Sequence, residues 1–177
     1  MYMLDKLGPV GTPQVMYEYA RYRAVAADAL AAALNIEAPG HGLAQLATDP
    51  DPPGAELDLA NAVSALAYLL AGPDGDVEDF DDPLVSAAFG QREIEPDAPT
   101  VNDPARVAEV AATLAAFDRN LISERYDGAE LDANGVAPGG FAADPGWLDT
   151  LLSSFDQLRG FYDRAAANGW AVVVVLD

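Results

Sequence analysis

The run from Trp170 to Leu176, WAVVVVL, limits what this chain can fold into more than any other segment. A strand points successive side chains to opposite faces. A run with no polar residue is therefore apolar on both faces, and both must be covered. Such a strand belongs in the interior of a sheet with helices on either side, which makes the chain an α/β protein. The residues just upstream supply one of those helices. Leu148, Leu151, Leu152, Phe155, Leu158 and Tyr162 recur at helical spacing, and Ala165 and Ala166 extend the stripe. Asp144 reads as the N-cap, Pro145 as the first helical residue and Asn168-Gly169 as the stop. The aromatic set Phe155, Phe161, Tyr162 and Trp170 reads as core packing with a partial surface rim.

The same capping chemistry recurs upstream. Asp103-Pro104 opens a helix whose buried face is Val107, Val110, Ala111, Leu114 and Phe117. Asp82-Pro83 opens a two-turn piece that stops at Gly90. A further helix is predicted from about Asp58 to Leu70, ended by Gly72-Pro73, and a short one from Gly128 to Asn134. Five helices of varying length are expected around the sheet. The Pro-, Gly- and Asp-rich stretch from Ala38 to Gly54 reads as a surface loop. Met16 to Leu34 admits two readings on its residues: one long helix, or a Tyr-rich strand that gives way to an Ala-rich helix near Val25.

Composition narrows the chemistry. The chain has no Cys and a single His, His41, and it carries 29 acids against 9 bases for a formal charge of -20. That excludes disulfides, thiolate metal sites, a cysteine nucleophile and any multi-His centre. The acidic balance argues against nucleic acid and anionic membranes, which call for clustered Lys and Arg. Its apolar runs fall well short of the roughly 20 residues of a bilayer span, and the first residues lack the apolar core of a secretory signal. A cytoplasmic location is the expectation. No nucleophile elbow or phosphate-binding glycine loop occurs. His41 lies in APGHG and reads as solvent-exposed.

LDLANAVSALAYLLAG, DDPLVSAAFG, ARVAEVAATLAAFD and FDQLRGFYDRAAANGWAVVVVLD, in that order, resemble the YfbM-like family of bacterial domains of unknown function. The resemblance covers residues 16–177, with 1–15 as an N-terminal extension expected to contribute little stability. It implies a single compact three-layer α/β/α domain in which Tyr17 to Val25 is the first strand, and it implies no activity. The family commonly carries a Lys, a Trp and two His in its third-helix segment. Here those positions are Asn61, Val63, Ser64 and Ala67, and an aromatic-Pro-Gly stretch is replaced by Val136 to Gly140.

Two clusters remain as candidate binding residues. Tyr19, Arg21 and Arg23 would share one face of a strand, suited to an anion or to pairing with nearby acids. DGDVEDFDD gathers Asp74, Asp76, Glu78, Asp79, Asp81 and Asp82. It misses the calcium-loop pattern, with Asp79 where Gly belongs and Val85 where the terminal Glu belongs; ELDANG fails likewise at Phe141. No metal, cofactor or catalytic residue is predicted. No Lys or Arg occurs between Arg23 and Arg92, a surface that steers cationic partners. The expected function is a non-catalytic acidic interaction domain engaging a basic protein or peptide. The alternative is a small-molecule enzyme using carboxylates and the Tyr19, Arg21, Arg23 cluster at the sheet edge.

Overall fold

The computed structural model describes residues 17–48 and 56–177. The expected 1–15 extension and the family-like start at Met16 lie outside the described residues. Five strands, β1 (Ala20–Val25), β2 (Glu56–Ala60), β3 (Arg92–Glu93), β4 (Thr100–Asn102) and β5 (Ala171–Leu176), form one sheet in the order β2-β1-β5-β4-β3. Every neighbouring pair is antiparallel. β5 is the centre, with Val173 opposite Arg23 on β1 and Val101 on β4.

The helices form two layers. α1 (Ala27–Leu34) and α2 (Pro39–Thr48) cover one face, where Leu30 and Leu43 meet Val25, Val101, Ala171 and Val173. The other face carries α3 (Val63–Ala71), α4 (Pro83–Phe89), α5 (Pro104–Ala116), α6 (Asn120–Arg125), α7 (Gly128–Ala133) and α8 (Trp147–Ala167). Val172 and Val174 point into this larger core beside Leu66, Phe89, Leu114 and Phe161. Val172 and Val174 thus face one core and Val173 the other, and this is the three-layer α/β/α arrangement. The double coverage, and not parallel pairing, makes the run continuously apolar.

Several elements differ from expectation. Eight helices, not five, occur among the described residues. Residues 58–60 belong to β2; ELDLA alternates acid with apolar, and the strand ends at Ala60, whose φ is +46°. The expected loop from Ala38 holds α2, and its glycines have a packing cause. A Cβ on Gly42 would lie 2.6 Å from the Ala33 carbonyl oxygen, and one on Gly40 would lie 2.3 Å from Glu95 Oε2. α8 starts at Trp147, because Asp144 closes a turn ahead of it by accepting the Gly146 N–H at 2.8 Å. β1 begins at Ala20 rather than Tyr17. The caps at Asp82 and Asp103 do form, accepting the Leu84 and Arg106 N–H groups at 2.8 Å each.

α4 ends inside the core, and its last four carbonyls take side-chain donors from elsewhere in the fold. Asn102 Nδ2 donates to the Ser86 carbonyl at 2.8 Å, Tyr162 Oη to Ala87 at 3.1 Å, and Tyr22 Oη to Ala88 at 2.8 Å. Thr100 Oγ1 donates to Phe89. Asn102 Nδ2 also donates to Tyr162 Oη, and Asn102 Oδ1 accepts the Gln91 N–H.

Burial pushes both the Tyr22 and the Tyr162 hydroxyls above the usual tyrosine range. The unfolded chain ionises its tyrosines near pH 10. A raised folded pKa therefore contributes stability that is complete below about pH 10 and is lost as pH climbs toward the folded value. Urea unfolding should give a free energy that falls steeply above about pH 10. Tyr162→Phe should cost about 1–2 kcal/mol at neutral pH and make the alkaline fall shallower. Equal slopes in the two proteins would contradict this.

Candidate functional site

Where β4 stops short of the end of β5, a cleft of about 720 Å³ opens at the sheet edge. One wall is aromatic. The Phe89 ring, at the locked end of α4, packs against Tyr17 at 5.4 Å and Phe80 at 6.4 Å between centroids. The rest is the end of β5 from Val174 with the following Asp177, Gly90 and Gln91, and, from the β3–β4 hairpin, Glu93 and Asp97 to Thr100. Gly90, at φ +76°, makes the tight exit from α4; a Cβ there would meet Thr100 Oγ1 at 2.3 Å. Among the described residues, four carboxylate residues line the cleft, Glu78, Glu93, Asp97 and Asp177, and no basic residue does. Tyr17 is tied down by Ser64, whose Oγ accepts its N–H at 3.2 Å and donates to its carbonyl at 2.7 Å. Partial burial, helped by the Glu93 charge, pushes the Tyr17 hydroxyl up, so it stays a donor at neutral pH.

The acidic loop feeding this cleft is organised by its own turns and by one buried cation. Asp76 accepts the Glu78 N–H at 2.8 Å, Asp79 accepts the Asp81 N–H at 3.1 Å, and Asp82 caps α4. Asp81 accepts Gln91 Nε2 at 3.1 Å. Arg106, on the first turn of α5, donates from Nη2 to the Phe80 and Asp81 carbonyls at 3.1 and 2.6 Å, and from Nε to Ser86 Oγ at 3.0 Å. Its Nη1 pairs with Glu109 at 2.7 Å. The guanidinium therefore holds Phe80 against the cleft.

Of the acidic-loop residues singled out from sequence, only Glu78 lines the cleft; Asp74, Asp76, Asp79, Asp81 and Asp82 do not. Tyr19, Arg21 and Arg23 share one face, the α1–α2 side of β1, but none of them lines it either. Tyr19 is exposed, Arg21 pairs with Asp177 at 3.3 Å on the rim, and Arg23 pairs with Glu56. Sequence reasoning missed Glu93, Asp97, Asp177 and Arg106, and it read Tyr17 only as a strand former. The run REIEPDAP carries the signal for the hairpin acids, since Pro-Asp marks a turn and Asp97 sits there at φ +62°. His41 is exposed on α2.

The second near miss for calcium is taken up structurally. Glu130 accepts the Tyr68 hydroxyl at 3.2 Å, and Asp132 accepts the Ala142 and Phe141 N–H groups at 3.0 Å each. Those backbone donors hold the Asp132 carboxyl below the usual carboxylate range. Among the described residues, no group of three or more His, Cys, Asp or Glu is placed to hold a metal ion. Of the positions that differ from the family pattern, Val63 and Ala67 are fully buried and Ser64 is the anchor of Tyr17.

A family model described as a domain of unknown function (DUF1877) matches residues 16–175, and the chain belongs to that family. Its fold is similar to that of YfbM, a protein of unknown function from Escherichia coli, whose crystal structure superposes with a TM-score of 0.68. The two are 17% identical, and the match covers 90% of this chain and 99% of that one. At this identity the likeness shows the fold alone. No curated protein matches.

Arg106→Gln leaves the Phe80 and Asp81 carbonyls and Ser86 Oγ without their donor, and should cost about 3 kcal/mol in urea unfolding. Glu109→Gln touches only the exposed end of the pair and should cost under about 1 kcal/mol. Equal losses would assign the effect to the ion pair instead of the loop carbonyls.

Proposed function

We propose that this chain is a non-catalytic binding domain that takes a basic segment of a protein or peptide into the cleft at the end of β5. One observation carries the reading: Glu78, Glu93 and Asp97 line the cleft around an aromatic wall, and none of the described lining residues is basic. A Lys or Arg side chain suits both halves. Its charge is attracted by the carboxylates, and its aliphatic stem and cation pack on aromatic rings. The surplus charge of the chain draws such a partner in at long range and repels nucleic acid and anionic bilayers. A cytoplasmic setting belongs to the same reading; among the described residues, no helix is long and apolar enough to cross a membrane. The enzyme alternative needs Tyr19, Arg21 and Arg23 gathered in a polar cleft, and no observation favours it, since Arg21 and Arg23 face Asp177 and Glu56.

Charges exposed at a cleft rim are screened over about 10 Å at 0.1 M salt. A pull-down from native lysate should enrich a basic protein at low salt and release it at high salt, and Glu93→Gln with Asp97→Asn should weaken the retention. A partner held equally by the variant, or no salt-sensitive partner at all, would count against this site.

A further inference from the structure

The cleft offers main-chain groups as well as charge. In antiparallel pairing, successive residues turn their N–H and C=O alternately to one neighbour and to the other. Asp177 exchanges both with Tyr19 on the β1 side, each bond 3.1 Å. Leu176 therefore turns its N–H and C=O the opposite way, toward the line of β4. There the β4 pairing ends at Thr100 opposite Val174. Continued, that register sets Ala98 opposite Leu176, but the Ala98 N–H is bonded back to the Glu95 carbonyl at 3.1 Å, and Pro99 has no N–H to offer. Among the described residues, none takes the Leu176 N–H or C=O on this side, which leaves Leu176 as a one-residue open strand edge inside the cleft.

Side-chain register agrees with a strand-like occupant. Val174, Thr100 and Glu93 stand in one cross-strand row, and Val174 points into the larger core. Tyr17, Phe80 and Leu176 pack against that same core, so the aromatic wall and Glu93 lie on one side of the sheet plane. Val175 and Asp177 fall on the other by alternation.

We propose that the basic partner enters as an extended segment that adds to the sheet beside Leu176, in the line that β4 leaves unfilled. Its alternate residues place a cation on the Tyr17–Glu93 side, and its main chain pairs with Leu176. The inference rests on the reading of the cleft as a site for basic segments, and its test separates the two.

The probe is the peptide acetyl-Arg-Val-Arg-Val-Arg-amide, with two derivatives N-methylated either at the valines or at the arginines. All three keep the same charge. Calorimetry on the full chain should show salt-sensitive binding of the parent. One derivative, the one whose methyl groups face Leu176, should bind about tenfold or more weakly, while the other keeps most of the affinity. The parent should also slow exchange of the Leu176 amide proton. If the parent binds but both derivatives bind equally well and the Leu176 amide exchanges as before, strand addition is overturned and the basic-segment site stands. If the parent does not bind, both readings fall.

Discussion

The end of α4 constrains the rest of the molecule. A helix leaves its last four carbonyls without intrahelical partners, and at the surface water takes them. α4 has seven residues, and Val85 to Phe89 are all buried, so water cannot. Tyr22 on β1, Thr100 and Asn102 on β4, and Tyr162 on α8 each bring one donor to this point. A buried carbonyl without a partner costs about 1–3 kcal/mol. The Ser86 carbonyl also accepts the Gly90 N–H at 2.9 Å; the Ala87, Ala88 and Phe89 carbonyls depend on the side chains, and their bonds require β1, β4 and α8 to be in place together. A two-turn helix would be marginal alone; here it is fixed by residues distant from it in the chain. The turn it fixes, Phe89-Gly90-Gln91, forms part of the cleft wall.

Several of the scarce bases are taken up in contacts of the fold itself. Arg106 is buried against the acidic loop. Arg125 donates to the Leu69 and Leu70 carbonyls at the end of α3, at 2.7 and 3.1 Å, where a positive charge also suits the helix dipole. Arg119, just ahead of α6, reaches across to Asp156 on α8, and Arg159 pairs with the same carboxylate within α8. With 9 bases against 29 acids, the chain keeps a large uncompensated negative field, and the cleft gathers Glu78, Glu93 and Asp97 around its aromatic wall.

What the sequence made legible was local chemistry. The two-faced valine run predicted the central strand and the layers on either side of it, and Asp82-Pro83 and Asp103-Pro104 marked their helices by capping rules that act within three residues. α2 was hidden because Gly40 and Gly42 answer to close approach by α1 and Glu95, which composition presents as a loop. β2 was hidden because its alternation spans only five residues and runs straight into an apolar helix. Little of the site was legible. Glu78 belonged to an acidic run, but the cleft joins segments near residues 17, 78–80, 89–100 and 174–177. Only the sheet order brings these together. Arg106 carries no signal of burial in its own neighbourhood; the loop carbonyls that need it lie some 25 residues away.

Native-state hydrogen exchange across a urea series tests the central claim most directly. The account predicts that the amides of Ala87 and Phe89 in α4 exchange only through global unfolding, with the same free energy and urea dependence as Val173 in β5. Exchange of the α4 amides through a local opening of much lower free energy, while Val173 stays protected, would show that the four side-chain bonds do not lock this helix end.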